Sequence, residues 1–282
     1  MSGESKGKIL DLIPEEYKAR TILVLSGSGF DTILNLIEIN KLTFPIIAKP
    51  DVGERGKGVQ KIDSIGQLRS YIQNHDADFL IQEYIDYPIE LGIFYHRIPG
   101  AEKGNVTSVT QKKFLEVTGD GKSTVLKLME ELPRARLQIE RLTPMLEDKK
   151  NYIPKIEETV LLELIGNHCR GTTFLNANDI IDEELQKTID QISKKIPGFY
   201  FGRYDLRCRS IEELKKGNYI KIMELNGAGA EASHIYQPGF SILEGYKVLF
   251  KHWKIMYTIS TINHKNGIPY LSFQEGKRAM FG

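Results

Sequence analysis

The sequence predicts an α+β fold, on three observations. Runs rich in β-branched and aromatic residues, bounded by Gly, Pro, Asp or Asn, recur along the chain and pair as neighbours. Helical stripes separate only some of them, which favours hairpin pairing over an alternating parallel array. The composition, 41% hydrophobic and 27% charged over 282 residues, is that of a globular chain with a full core.

The strand-like runs are, in order, "TILVLS" (21–26), "FPIIAKP" (44–50), "FLIQEYI" (79–85), "LGIFYHRI" (91–98) and "SVTQKKFLEV" (108–117). "TVLLELI" (159–165), "GFYFGRYDLRC" (198–208) and "NYIKIMELN" (218–226) complete them. Ile65, Leu68 and Ile72 predict a helix behind Asp63 or Ser64, and Leu185, Ile189, Ile192 and Ile196 another behind Asp182, a good N-cap type. Leu243, Tyr246, Phe250 and Trp253 form a third stripe. All three are read as packing surfaces rather than cofactor boxes. Residues 133–158, charged and without strand character, are expected to form a surface helix and a connection between two halves.

Charge and cysteine content narrow the function classes. A net charge of +1 asks for no nucleic acid and no anionic membrane as partner, so any basic function is local. Two cysteines, Cys169 and Cys208, are too few for a disulfide framework or a cysteine zinc site and fit a reducing, cytoplasmic setting. No run approaches the roughly 18 apolar residues that a membrane span needs, and the first twenty residues hold no signal-length apolar core.

Three stretches carry candidate chemistry. In "FPIIAKPDVGERGKGVQKI" (44–62), Lys49 ends a strand-like run, and Gly53, Gly56 and Gly58 permit positive φ and close backbone approach to anionic oxygens. Arg55 and Lys57 add charge. The Walker spacing is missing, and read alone the stretch is equally a charged turn. In "FLIQEYIDYPIE", Glu83 ends a strand and Glu90 follows a proline turn; such a pair can read adenine and ribose, or be two surface carboxylates.

The third is the pair "GFYFGRYDLRC" and "NYIKIMELN". Alternation puts Arg203, Asp205 and Arg207 on one face and Tyr204 and Leu206 on the other. It likewise groups Ile222 with Glu224 and Asn226, and Met223 with Leu225. If the two strands pair through the polar turn "SIEELKKG" with polar faces coincident, Asp205, Glu224 and Asn226 gather oxygen donors beside an arginine, the kind of set a hard cation takes. The same spacing also fits two half-exposed strands with charged outer faces.

In their order, these elements resemble the ATP-grasp superfamily: a lysine strand with a glycine loop, a "QEYI" hinge, a basic strand and a final "D…E-x-N" set. The "GRYD" (202–205) and "ELN" (224–226) segments are similar to those of D-alanine–D-alanine ligases, and "VTGDGKST" (117–124) and "NHCRGTT" (167–173) to the cyanophycin-synthetase branch. The similarity runs from about residue 40 to about residue 255. It implies two α+β subdomains gripping ATP between antiparallel sheets.

The expected division is an N-terminal segment 1–43, a lid subdomain 44–98, a catalytic subdomain 99–258 and a tail 259–282. The resemblance implies that Lys49 contacts the α- and β-phosphates, with Gly53, Gly56 and Gly58 in the loop over them. Glu83 would face the adenine amine, Tyr84, Ile85 and Asp86 would line the hinge, and Glu90 would hold the ribose. Lys112 or Lys113 would lie near the γ-phosphate, and Arg203 would stabilise the reacting acyl centre. Asp205, Glu224 and Asn226 would hold two Mg2+ ions, with Mn2+ as a substitute.

The implied activity is ATP-dependent joining of a carboxylate to an amine (or thiol) through an acylphosphate, on small-molecule substrates such as an amino acid or peptide. A kinase, or a nucleotide-binding regulatory protein without turnover, are the alternatives. Relatives carry a full N-terminal substrate domain before the lysine strand, and only 48 residues precede Lys49 here. The expectation is therefore a fragment, or an acceptor site completed by other means, in a homodimer or with a partner subunit. "NGAGAEASHIYQPG" departs from the Asn-x-x-Pro-Gly of dipeptide ligases, with Ile235 where a substrate-binding serine is expected, which counts against D-alanine. His168 and His234 flank these segments and are read as ordinary satisfied or exposed histidines.

Overall fold

A computed structural model describes residues 5–53 and 56–281. Its strands are β1 (Thr21–Val24), β2 (Ile46–Pro50), β3 (Gln60–Ile62), β4 (Phe79–Glu83), β5 (Ile89–His96) and β6 (Asn105–Lys113). Then follow β7 (Glu116–Thr118), β8 (Thr159–Leu161), β9 (Thr173–Asn176), β10 (Phe201–Cys208) and β11 (Ile220–Asn226). The helices are α1 (Lys6–Leu10), α2 (Phe30–Ile39), α3 (Ile65–Gln73), α4 (Val125–Glu131) and α5 (Pro133–Arg136). Five more follow: α6 (Ile139–Leu142), α7 (Glu183–Lys194), α8 (Ile211–Lys215), α9 (Ile242–Lys265) and α10 (Phe273–Phe281).

The chain packs as two units, with Lys112–Phe174 forming one and the residues before and after it the other. The division falls at 111/112 and 174/175, inside the stretch 99–258 that the sequence suggested as one subdomain.

The first unit contains an antiparallel sheet in the order β1-β4-β2-β3. One face packs Ile46, Ala48, Ile81 and Ile62 against Ile33 and Ile37 of α2 and Leu68 and Tyr71 of α3. Ser64 caps α3, its hydroxyl accepting from the Gln67 amide, so the cap is the serine rather than Asp63. The second sheet runs β11-β10-β5-β6-β9. Its apolar face, with Tyr204, Leu206, Ile93 and Ile222, meets Leu185, Ile189 and Ile192 of α7. Asp182 caps α7 as its residue type predicts, Oδ1 accepting from the Leu185 amide at 2.9 Å. The "SIEELKKG" link is a short helix, α8, rather than a plain turn.

The inserted unit has its own core: Leu115, Val117 and Val160 on the β7–β8 ladder, covered by Val125, Met129, Ala135, Leu142 and Leu146. The stretch 133–158 is thus no single surface helix. Pro133 and Pro144 open separate short turns, which bury Ala135 and Leu146. "SVTQKKFLEV" likewise divides into β6 and β7.

The stripe Leu243, Tyr246, Phe250 and Trp253 does not pack. All four are exposed on α9, which instead buries Gly245, His252 and Ile259 on its other side. Periodicity finds an apolar face of a helix, but α9 has two, and the sheet covers the one the stripe does not mark.

Candidate functional site

β10 and β11 pair antiparallel with Asp205 directly opposite Glu224 and Arg203 opposite Asn226, so these four residues share one face of the sheet. Plain alternation would put Ile222 there too. A β-bulge prevents it: the register shifts between Asp205 and Leu206, leaving Met223 as the extra residue. Ile222 therefore joins Leu225 in the core, and the expected grouping of Ile222 with Glu224 is overturned. Gly92 of β5 lies opposite Asp205 on its other side. A Cβ there would come within 3.3 Å of Arg203 Cδ and 3.4 Å of Asp205 Oδ1, so the missing side chain is what lets this pair lie flat.

Arg203 forms a two-pronged contact with Asp205, Nε to Oδ1 at 2.9 Å and Nη2 to Oδ2 at 3.3 Å. Its Nη1 also donates to the Glu231 carbonyl and, at 2.9 Å, to Ser233 Oγ. Burial works against the Arg203 charge, but Asp205, Glu224 and Glu231 outweigh it and leave its pKa raised. Glu224 makes no hydrogen bond or ion pair among the described residues, and Asn226 Nδ2 is buried with no partner. Thr110 Oγ1, one strand beyond Gly92 in the same row, is also buried without a partner.

Lys49 reaches this cluster from the other sheet. Its Nζ donates to Gln82 Oε1 at 3.0 Å and to the Met223 carbonyl at 3.1 Å, so the bulged residue is what the lysine touches. Burial lowers its pKa to about 8, with Lys6 adding to the effect and Glu224 and Asp51 opposing it. A cation kept in so dry a place is poised for an anion.

Gly53, Gly56 and Gly58 all have positive φ, the conformation for which the sequence reading chose them. A Cβ on Gly58 would lie 2.7 Å from Pro50 Cγ, which makes that glycine obligatory. Arg55, part of the expected loop, lies outside the described residues. The start of the loop is fastened by α1: Lys6 Nζ donates to the Gly53 and Asp51 carbonyls, and Asp51 Oδ1 accepts from the Gly7 amide at 2.8 Å.

The two glutamates of the hinge are engaged by arginines. Glu83 accepts from the Arg20 backbone and from its Nε, both at 2.8 Å, with Lys221 Nζ 3.9 Å away. Glu90 is buried against Arg207, Nε to Oε2 at 2.9 Å, and Arg207 Nη1 donates to the Ile85 carbonyl at 2.7 Å. Tyr84 lies beside the cations of Lys61 and Arg207, with ring centroids 5.1 and 6.0 Å from them. Asp86 is exposed on the turn that follows. Lys112 and Lys113 close β6 at the first residues of the inserted unit, and Lys113 Nζ lies 3.4 Å from Glu116 of that unit.

Sequence reasoning missed Arg20, Lys6 and Ser233, which are distant in the chain and have no motif. Arg207 was placed on the correct face by alternation but given no partner. His234 is buried, its Nδ1 2.7 Å from Ser108 Oγ, so the reading of a satisfied histidine fits what is seen. His168 is exposed in the inserted unit, its pKa lowered by partial desolvation and by Arg134.

A hard cation fits the donor set in chemistry through oxygen: two carboxylates face to face and the amide oxygen of Asn226, whose buried Nδ2, a donor, calls for an acceptor instead. Among the described residues no three His, Cys, Asp or Glu side chains form a metal cluster. A cation here would therefore share its shell with oxygens from elsewhere, as Mg2+ does with phosphates.

No family model matches the chain, and no curated protein matches it by sequence. Solved structures do. D-alanine–D-alanine ligase from Bacillus anthracis, complexed with ATP, aligns at 14% identity and a TM-score of 0.50, over 93% of this chain and 67% of that one. The D-Ala:D-Ser ligase VanG from Enterococcus faecalis aligns at 16% identity and a TM-score of 0.48, over 88% of this chain. A bifunctional glutathione synthetase from Pasteurella multocida aligns at 14% identity and a TM-score of 0.41, over 82% of this chain. The chain spans 61% of the VanG ligase and 32% of the glutathione synthetase. At such identities the likeness is one of fold: this chain is built on the ATP-grasp fold.

Proposed function

We propose that the chain carries the nucleotide site and reaction centre of an ATP-dependent ligase that joins a carboxylate to an amine through an acylphosphate. The observation that supports it best is the meeting of Lys49 with the Met223 carbonyl, beside Glu224. It joins a buried cation from the glycine-loop strand to the Asp205–Glu224 pair and Arg203.

In this reading Lys49 binds the α- and β-phosphate oxygens, and the backbone from Asp51 to Gly58 closes over them. Asp205, Glu224 and Asn226 would hold Mg2+, which neutralises phosphate charge when bound. A substrate carboxylate oxygen attacks the γ-phosphorus and ADP leaves; the amine nitrogen then attacks the acyl carbon and phosphate leaves. Arg203, held flat by Asp205 and Ser233, is positioned to bind the oxyanion of the second step. Such chemistry asks for positioning and charge neutralisation and needs no side-chain nucleophile. Glu83 and Glu90 keep their proposed roles at adenine and ribose, the Tyr84–Asp86 backbone lining the hinge. Each glutamate must then share its carboxylate with Arg20 or Arg207.

The test is phosphate release from magnesium ATP across a panel of amino acids and short peptides. Release that requires both a carboxylate and an amine supports the ligase. ADP formed with a carboxylate alone would make the protein a kinase, and tight ATP binding with no stimulated turnover would make it a nucleotide-binding module.

A further inference from the structure

The outer face of α9 has no role in the proposed reaction. Leu243, Tyr246, Phe250, Trp253 and Tyr257 recur at intervals of three and four and are 73, 56, 61, 50 and 73% exposed. Three of the rings stack on one another, Phe250 against Trp253 edge-to-face at 5.4 Å and Tyr246 against Phe250 at 6.5 Å. Together the whole set presents on the order of 600 Å² of side chain, at the upper end of the largest apolar patch a monomer usually shows. Beyond the helix, Ile268, Tyr270, Leu271 and Phe273 are also exposed.

Charge decides what such a face fits. α9 contains four lysines and a single carboxylate, Glu244, which is already paired with Lys247 at 2.6 Å. Lys251 and Lys254 flank Phe250 and Trp253, are exposed, and make no ion pair among the described residues. Spacing of three and four would suit pairing with a second copy. Such a pair, however, would bring the lysines of both helices together around one seam, with a single carboxylate per helix, Glu244, already paired with its own Lys247. An anionic lipid surface has the opposite preference: it attracts the lysines, admits the aromatic rings at headgroup depth, and lets the lysine stems lie along the apolar edge. No described helix is long and apolar enough to cross a membrane, so α9 would lie in the interface plane.

We propose that the Leu243–Tyr257 face of α9 docks this protein on anionic bilayers. The inference is independent of the reaction carried out at Lys49 and Asp205. Its test is flotation of the full chain with vesicles of phosphatidylcholine alone and of phosphatidylcholine with phosphatidylglycerol. Trp253, the sole tryptophan, reports insertion through its emission. The expected result is binding to the anionic vesicles only, with a blue shift, weakening as salt rises. Lys251→Gln and Lys254→Gln should each lower partitioning by about fivefold. Phe250→Ser with Tyr257→Ser should lower it by about tenfold or more, with an unchanged thermal transition because both side chains are exposed. Equal binding to neutral vesicles, or no loss in these variants, would overturn the proposal. So would a monomer–dimer equilibrium in sedimentation that the double variant abolishes while vesicles remain unbound.

Discussion

Replacing Lys49 by methionine removes a cation that the fold holds at a disadvantage. Burial takes its pKa from an ordinary 10.5 to about 8, which corresponds to about 3 kcal/mol opposing the charged form. Methionine recovers that amount and fills similar volume, but it leaves Gln82 Oε1 and the Met223 carbonyl without their donor. Each loss costs about 1–3 kcal/mol. The two effects nearly cancel, so Lys49→Met should unfold in urea at pH 7 within about 2 kcal/mol of the parent chain. Binding should not cancel. ATP at about a hundredfold excess over Kd stabilises a protein by roughly 3 kcal/mol, and that stabilisation should vanish in the variant.

The pH dependence gives a second handle on the same residue. Between about pH 8 and 10.5 the unfolded chain keeps a proton on Lys49 that the folded chain has released. Parent stability should therefore rise with pH through that window relative to Lys49→Met, while nucleotide affinity falls as the folded lysine loses its charge. An ATP-dependent shift that survives in Lys49→Met would refute the assignment of Lys49 to the phosphates. Loss of many kcal/mol at pH 7 would show that the lysine is chiefly structural.

Arg207→Met should destabilise the fold by about 3–5 kcal/mol, because Glu90 is then left buried without its arginine; adding Glu90→Gln should restore most of the loss, as urea titrations of both variants can check. Asp205→Asn should release Arg203 and reduce turnover far more than ATP affinity, a split visible by comparing phosphate release with equilibrium nucleotide binding. Burial lowers His96 and His234 to about 4, below the 6.5 of an unfolded histidine. The unfolded chain takes up these protons first, so stability present above pH 6.5 should drain away as pH falls toward 4. His234→Gln should show a shallower acid slope in denaturation curves at pH 7 and pH 5.

The strands were legible where apolar and polar side chains alternate, as in β10, whose Tyr204, Leu206 and Cys208 join the apolar core while Arg203, Asp205 and Arg207 line the polar face. The sequence left no such trace of β3 or β9, which are three and four residues long. Partners far apart in the chain were also illegible. Arg20 and Glu83, or Glu90 and Arg207, meet only because strands from distant segments lie in register, and nothing local marks the pairing. For α9, spacing announced a surface but was silent on whether protein would cover it. The Arg203, Asp205, Glu224 and Asn226 cluster was readable in outline because its residues sit on one hairpin; its supports, Gly92 and Ser233, come from other segments.

The extra residue at Met223 has a consequence for how this site can vary. Strand β11 shows its even-numbered side chains to the core before that point and to the candidate site after it, and a single surplus residue performs the change of phase. Deleting Met223 would let Glu224 follow Ile222 in regular alternation, with the same faces but without the bulge carbonyl that Lys49 Nζ meets. Holding Met223 in plain alternation would instead turn Glu224 and Asn226 inward and Leu225 outward. The bulge, and not the order of side chains alone, therefore sets which residues of the hairpin face the candidate site.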